Sequence, residues 1–312
     1  MTLTELKYIV AVAREKHFGR AAEACFVSQP TLSVAVKKLE EELDVKLFER
    51  GANEVSVTPL GEQIVRQAQQ VIEQAAAIRE IAKLGKDPLS GPLRLGVIYT
   101  IGPYLLPDLV RQAIERVPQM PLMLQENFTA KLLDMLRVGE LDCAILAEPF
   151  PDTGLAMAAL YDEPFLAAIP SRHPLAKRKQ LTAEELKAET MLLLGTGHCF
   201  RDHVLEVCPE YARFASSTAT DGEGIRKSFE GSSLETIKYM VASGMGVTVV
   251  PQLSVPAEAQ AHIKYIRFVA PVPTRRVVLA WRRTFPRYEA IAALRNCIYA
   301  CELPGVKRLT PG

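Results

Sequence analysis

The chain has 312 residues, 48% of them hydrophobic and 23% charged, with a formal net charge of +1. That is enough for two or three domains with ordinary cores, and the near-neutral balance excludes a nucleic-acid or membrane role carried by overall charge alone. The N-terminus "MTLTELKYIVAVARE" lacks the basic start and apolar run of a signal peptide, and no window reaches the ~18 apolar residues of a membrane span, so a cytoplasmic protein with no membrane contact is expected.

Residues 1–58 read as a small helical head. Leu6, Ile9, Val10 and Ala13 recur at helical spacing, with Thr2 or Thr4 in place to cap. Phe18, Ala21, Ala22 and Cys25 follow the i, i+3, i+4, i+7 pattern of a second short helix. In "FVSQPTLSVAVKKLEEEL", Ser28 N-caps a third helix and Pro30 sits in its first turn, where a missing N–H costs nothing. Leu32, Val36, Leu39 and Leu43 form its buried face, while Gln29, Thr31, Ser33 and Lys37 lie off that stripe. "RGANEVSVTP" reads as a hairpin turning at Gly51 and Asn53, with Val55 and Val57 alternating.

Short helix, tight turn, longer helix with a polar outward face, then a wing: this is the order of a winged helix-turn-helix. Gln pairs with adenine in the major groove, and Ser or Thr bonds to bases or phosphates. Lys37, Lys38 and Arg50 are placed to meet phosphates. The rival reading is a plain three-helix bundle, which nine acids against eight bases over 1–58 favours. Any DNA contact therefore has to come from a local patch.

Residues 59–87 read as one long helix. Thr58 caps it, Pro59 opens it, and Gly85 and Pro88 end it. Ile64, Ala68, Val71, Ile72, Ala75, Ile78 and Ile81 make one continuous stripe. A helix of ~27 residues is about 40 Å long, too long to cover its stripe on a small head. A dimer-forming linker is expected, against the alternative of a helix packed along its own body.

The body then alternates strand and helix. "LRLGVIY", a helix around 104–116, "MPLMLQE", a helix around 129–138 and "LDCAILA" make a βαβαβ series with a parallel sheet. A second series comprises "EPFLAAIP", "TMLLL", helices near 199–208 and 233–243, and "GVTVVP". Strands at 263–268 and 275–281 and a helix at 287–301 close the chain. The expected division is a lobe I of 88–162 and 269–312 and a lobe II of 163–268, with a ligand cleft between them. No G-x-G-x-x-G follows the first strand and "GTG" at 195–197 lacks a P-loop context. No nucleotide or other cofactor is expected, and no Ser/His/Asp arrangement is recognisable.

The run "MTLTELKYIVAVAREKHFGRAAEACFVSQPTLSVAVKKLEEELDVKLFER", followed by "VTPLGE", resembles the N-terminal signature of LysR-type transcriptional regulators. The body resembles that family's two-lobed effector domain, which is like periplasmic binding proteins, so the resemblance covers essentially the whole chain. "GHCFRD" with a second cysteine at 208, "GVIYTIGPYLLP" around Thr100 and "ENFTAKLL" around Thr129 resemble the family's hydrogen-peroxide-sensing subfamily. The resemblance implies an α+β multidomain protein that is not an enzyme. It implies a dimer or tetramer on promoter DNA that controls peroxide-defence genes and meets RNA polymerase. DNA contacts then fall to Ser28, Gln29, Pro30, Thr31, Ser33, Lys37 and Arg50.

The stretch "GTGHCFRDHVLEVCPE", residues 195–210, holds two cysteines and two histidines. As a metal site its spacing is poor: His198 and Cys199 diverge on a helix, Cys208 lies two turns beyond Cys199, and no C-x-x-C exists in the chain. Two ordinary semi-buried cysteines are the bland alternative. Against it, Gly195 and Gly197 place Cys199 at a helix N-terminus near His198, Arg201 and His203, conditions that lower a thiol pKa. Cys25, Cys143, Cys297 and Cys301 lack that setting and read as packing residues.

The resemblance further implies a reversible Cys199–Cys208 disulfide, formed through a Cys199 sulfenic acid and reset by thiol reductants of the thioredoxin or glutaredoxin type. Thr100, Thr129, His198, Arg201, Asp202 and Arg276 are carried over as peroxide-binding or thiol-activating groups. Thr218 stands where that pattern has a histidine, and no role is assigned there. A helix over 199–208 holds the two Cα atoms about 13.5 Å apart, whereas a disulfide needs about 7 Å or less. Helix and bond exclude each other, and "TATDGEGIRKSFEGSS" at 218–233 is expected to be a flexible loop that absorbs the change. Two rivals stand beside this reading: a LysR-type regulator answering a small metabolite in the cleft, and a thiol peroxidase.

Overall fold

The structure is a computed structural model that describes residues 1–50, 55–83, 88–151, 154–211, 228–231, 233–258 and 260–309. The chain forms two compact units, of which the first is built on Met1–Lys86.

In that first unit, α1 (Leu3–Glu15) starts at a capping box between Thr2 and Glu5, and α2 (Phe18–Ala24) follows. The third helix, α3 (Gln29–Leu43), is capped by the Ser28 side chain, which accepts the Thr31 N–H. Its Leu32, Val36 and Leu39 are buried with Leu6, Ile9, Val12, Ala21 and Ala22, and Leu43 is only partly buried. Strands β1 (Phe48–Arg50) and β2 (Val55–Val57) pair antiparallel as the wing. Buried Glu40 accepts the Leu47 and Phe48 N–H groups and so ties α3 to the wing. The turn at Gly51 and Asn53 lies outside the described residues.

The linker helix α4 runs Pro59–Lys83, with Thr58 Oγ1 accepting the Gly61 N–H (2.9 Å). Its predicted stripe is divided. Ala68 and Ile72 are buried in the head core and Ile64 packs partly against it, but Val71 and Ile78 are exposed. The head thus uses the first half of the stripe, because only that half lies alongside the head core. Gly85 lies outside the described residues.

The second unit has two lobes. In lobe I, β3 (Leu93–Ile98), α5 (Gly102–Arg116), β4 (Leu122–Asn127), α6 (Thr129–Arg137) and β5 (Cys143–Glu148) form a parallel β4-β3-β5 set. The next strand, β6 (Ala156–Pro170), starts seven residues before the predicted "EPFLAAIP", since "AMAALYD" is extended as well. The remaining strands are β7 (Gln180–Leu181), β8 (Met191–Leu194), β9 (Ser228–Gly231), β10 (Thr248–Pro251), β11 (Ile263–Phe268), β12 (Thr274–Trp281) and β13 (Lys307–Arg308). Antiparallel β12 joins β5 to β6, and the C-terminal part of β6 continues into lobe II, flanked by β10 and β11.

Lobe II also holds α7 (Cys199–Val207) and α8 (Leu234–Ala242), and α9 (Tyr288–Ala300) closes the fold. Part of the predicted 218–233 loop is strand: β9 pairs parallel with β8. The rest of that loop through residue 227, Thr218 included, lies outside the described residues. Among the described residues no helix is long and apolar enough to cross a membrane.

Candidate functional site

Cys199 is the first residue of α7, with His198 as its N-cap. Gly197 precedes them at φ +101°, a left-handed geometry that strains any residue with a Cβ, and an added Cβ there meets the Phe128 ring at 3.3 Å. The loop therefore lies flush on lobe I. Tyr99, Phe128 and His198 form a ring cluster across the lobes, with the Phe128 and His198 centroids 4.8 Å apart.

Beside the thiol is a cavity of about 10 Å³ lined by Thr100, Thr129, Phe128, His198 and Cys199 among others, the scale of one water-sized molecule. Thr129 Oγ1 is buried there and has no hydrogen-bond partner of ordinary geometry among the described residues. Its hydroxyl nonetheless faces Cys199 closely enough to favour the thiolate.

The electrostatics differ from the sequence expectation. Burial pushes the Cys199 thiol above its usual range, opposed by the Thr129 hydroxyl and the positive Arg275, and reinforced by Asp202. The helix N-terminus does not win, because a charge in a water-poor pocket loses more solvation than a dipole end returns. Asp202 is exposed and disfavours the thiolate. Arg201 is buried and donates to Leu194 O of β8 (2.9 Å), so it ties α7 to lobe II. His203 donates from Nε2 to Glu148 O (2.7 Å), and burial lowers its pKa toward the neutral ring.

Arg276 does not face this pocket. Neighbouring residues of a strand face opposite sides, and β12 turns Arg276 outward onto Asp162 (2.8 Å). The inward residue is Arg275, which the sequence reading missed. Its guanidinium donates to Thr100 Oγ1 (2.8 Å), to Thr100 O (3.0 Å) and to Glu163 Oε2 (2.8 Å), and stacks 5.2 Å from the Phe200 centroid. Strand alternation says that one of the adjacent arginines points in, but only the register with β6 says which.

The second cysteine, Cys208, is the C-cap of α7 and is fully buried in the lobe II core. Burial and neighbouring Glu210 push its thiol up to about 12. The Tyr211 hydroxyl, just beyond, shares its one proton between Leu186 O and Glu189 O. Both cysteines are free thiols, separated by the nine-residue helix. The thiols of Cys143 and Cys301 are likewise raised by burial. Among the described residues, no group of three or more His, Cys, Asp or Glu side chains is placed to hold a metal ion.

In the head, Ser28, Gln29, Pro30, Thr31, Lys37 and Lys38 are exposed and Ser33 is half-buried. Ser28 Oγ and Thr31 Oγ1 are 2.7 Å apart, and Lys37 lies 3.6 Å from Glu41. The Arg50 side chain lies outside the described residues. Between these groups stands Val34, 67% exposed and absent from the sequence reading.

Residues 3–62 match the bacterial regulatory helix-turn-helix family of lysR type, and residues 86–300 match the LysR substrate binding domain. A full-length OxyR from Pseudomonas aeruginosa with aspartate in place of a cysteine is 50% identical over 100% of this chain and 99% of its own, with a TM-score of 0.70. The chain belongs to the LysR family, in its OxyR branch. Other OxyR-branch relatives agree. The Escherichia coli K12 DNA-binding transcriptional dual regulator OxyR is 38% identical over 94% of each chain. A hydrogen-peroxide-bound OxyR mutant from Corynebacterium glutamicum is 33% identical over 96% of this chain and 92% of its own, with a TM-score of 0.62.

Proposed function

We propose that this LysR-family chain is a DNA-binding transcription activator that senses hydrogen peroxide through Cys199 and Cys208. The observation that carries it is the small cavity of about 10 Å³ that Cys199, Thr129 and Thr100 line together. Thr100 Oγ1 accepts from Arg275, so its own proton is free to donate toward a peroxide oxygen. Thr129 Oγ1, which is buried, is a second donor.

The Cys199 sulfur attacks one peroxide oxygen and the O–O bond breaks. The sulfur is oxidised to a sulfenic acid, and the other oxygen leaves as water with the thiol proton. The Cys208 thiol then displaces the sulfenic hydroxyl as water and the disulfide forms. Nine residues of helix set the two Cα atoms about 13.5 Å apart, so the bond requires α7 to unwind. That change of shape is what reaches the DNA-binding head. DNA is met by Ser28, Gln29, Pro30, Thr31, Ser33, Lys37 and Arg50, in a dimer or tetramer on promoter sites, with RNA polymerase as the downstream partner. Thioredoxin- or glutaredoxin-type reductants return the dithiol, and the protein works in the cytoplasm.

A second reading places a small metabolite between the lobes. A cavity of about 310 Å³ lies there, lined by Tyr99, Tyr104, Glu126 and Glu235 among others, and Glu126 Oε1 is buried without a hydrogen-bond partner among the described residues. Thiol counting after one equivalent of peroxide separates the two. Loss of two thiols, at 199 and 208, supports the sensor, and Cys208→Ser then traps Cys199 as a sulfenic acid that reacts with a dimedone-type probe. Cys199→Ser protein that still answers peroxide sinks the assignment.

A further inference from the structure

The outward face of α3 is not wholly polar. Residues 32, 36 and 39 are buried. At about 100° per residue they lie about 140–160° from position 34. Val34 is therefore the middle of the exposed face, with Pro30 and Lys38 one turn away on either side and Thr31 and Lys37 flanking. A β-branched residue at that position adds nothing to helix stability, since valine is a poorer helix former than alanine. It buries nothing in the head, being 67% exposed. The polar residues around it suit phosphates and the hydrogen-bonding edges of bases. The one base feature that answers an apolar side chain in the major groove is the thymine 5-methyl.

We infer that Val34 is a specificity-determining residue that packs on a thymine 5-methyl group at the centre of the α3 footprint. The inference rests on α3 being the DNA-reading helix and adds to it a base and a position. Its energetic content is modest and local. Burying one methyl is worth about fourfold in affinity, against a background set by phosphate contacts and salt.

The test uses full-length protein and a duplex it enriches from a random DNA pool. Each thymine of that duplex is replaced in turn by deoxyuridine, which removes only the methyl. One replacement per half-site lowers wild-type affinity about fourfold. Val34→Ala, which removes the contact in both half-sites at once, loses about fifteenfold on the thymine duplex and no longer distinguishes it from the deoxyuridine duplex. Val34→Thr keeps one methyl and falls between. Salt dependence stays the same in all three. If the enriched duplex binds with ordinary salt dependence but no thymine matters, or the thymine still matters in Val34→Ala, Val34 does not read a methyl although α3 reads DNA. If no duplex is enriched, the DNA reading fails and this inference with it.

Discussion

Removing the Tyr211 hydroxyl tests which end of α7 gives way when the disulfide closes. In the dithiol form that hydroxyl holds two backbone carbonyls, Leu186 O and Glu189 O, three residues past Cys208. Tyr211 is 1% exposed, so water does not replace it readily. Its single proton is shared between the two carbonyls, and such a neutral hydrogen bond is worth about 0.5–1.5 kcal/mol net. If closing the bond pulls Cys208 out of the core, the turn after it goes too, and these bonds exist only in the reduced protein. Tyr211→Phe then destabilises the dithiol form alone, and the Cys199–Cys208 couple becomes more reducing by about 10–30 mV. Equilibrating wild type and variant in glutathione buffers, with alkylation of free thiols and separation by mass, reads that shift directly. An unchanged potential refutes the reasoning. It means that the turn stays in place in both forms, and that Cys199 travels to Cys208 instead.

Thr129→Val keeps the shape beside Cys199 but removes the one hydroxyl that favours its thiolate. The pH midpoint for alkylation of Cys199 moves up, and sulfenate formation slows about tenfold, as expected when the proposed bond to the peroxide oxygen, about 1.4 kcal/mol, is not made; stopped-flow kinetics measure both. Phe26 has φ +56° and is 96% exposed, so its side chain gains little while its backbone is strained. Phe26→Gly stabilises the head, by up to about 1 kcal/mol after glycine's entropy is set against the relieved strain, as read by urea denaturation. Burial raises the pKa of Glu126, so its contribution is present in acid and is lost as pH rises through the folded pKa. Glu126→Gln therefore raises the melting temperature at neutral pH but not at pH values below the carboxylate range. Asp in place of Val71 and Ile78, exposed on α4, yields a smaller species in sedimentation if that half of the stripe is the dimer seam.

Most elements were legible because their local signals agree. Ser28, Pro30 and the Leu32–Val36–Leu39 stripe each mark α3, and the structure starts that helix at Gln29. What stayed hidden depended on distant partners. Whether Arg275 or Arg276 faces inward is fixed by pairing with Glu163 and Asp162, over a hundred residues away in sequence. The sign of the Cys199 shift depends on how deeply lobe I covers the N-terminus of α7, which no local pattern reports. Val34 was overlooked for a different reason. The helical spacing places it opposite the core, but a search for polar DNA contacts passes over an apolar side chain.

The strand β6 serves both lobes without a break: Ala156–Pro164 pairs with β12, and Phe165–Pro170 with β10 and β11. Lobe II is one continuous stretch of chain, whereas the lobe I sheet draws β5 and β12 from either side of it, so lobe I cannot be cut out as a single fragment. The same continuity orders events on the ribosome. Strand β5 waits for β12 until all of lobe II has been made, and such long-range pairing is slow. The sheet of lobe I is thus the last to close, and until it does Thr100 lacks the Arg275 guanidinium that holds it. A nascent chain can contain both cysteines before the pocket beside Cys199 is built.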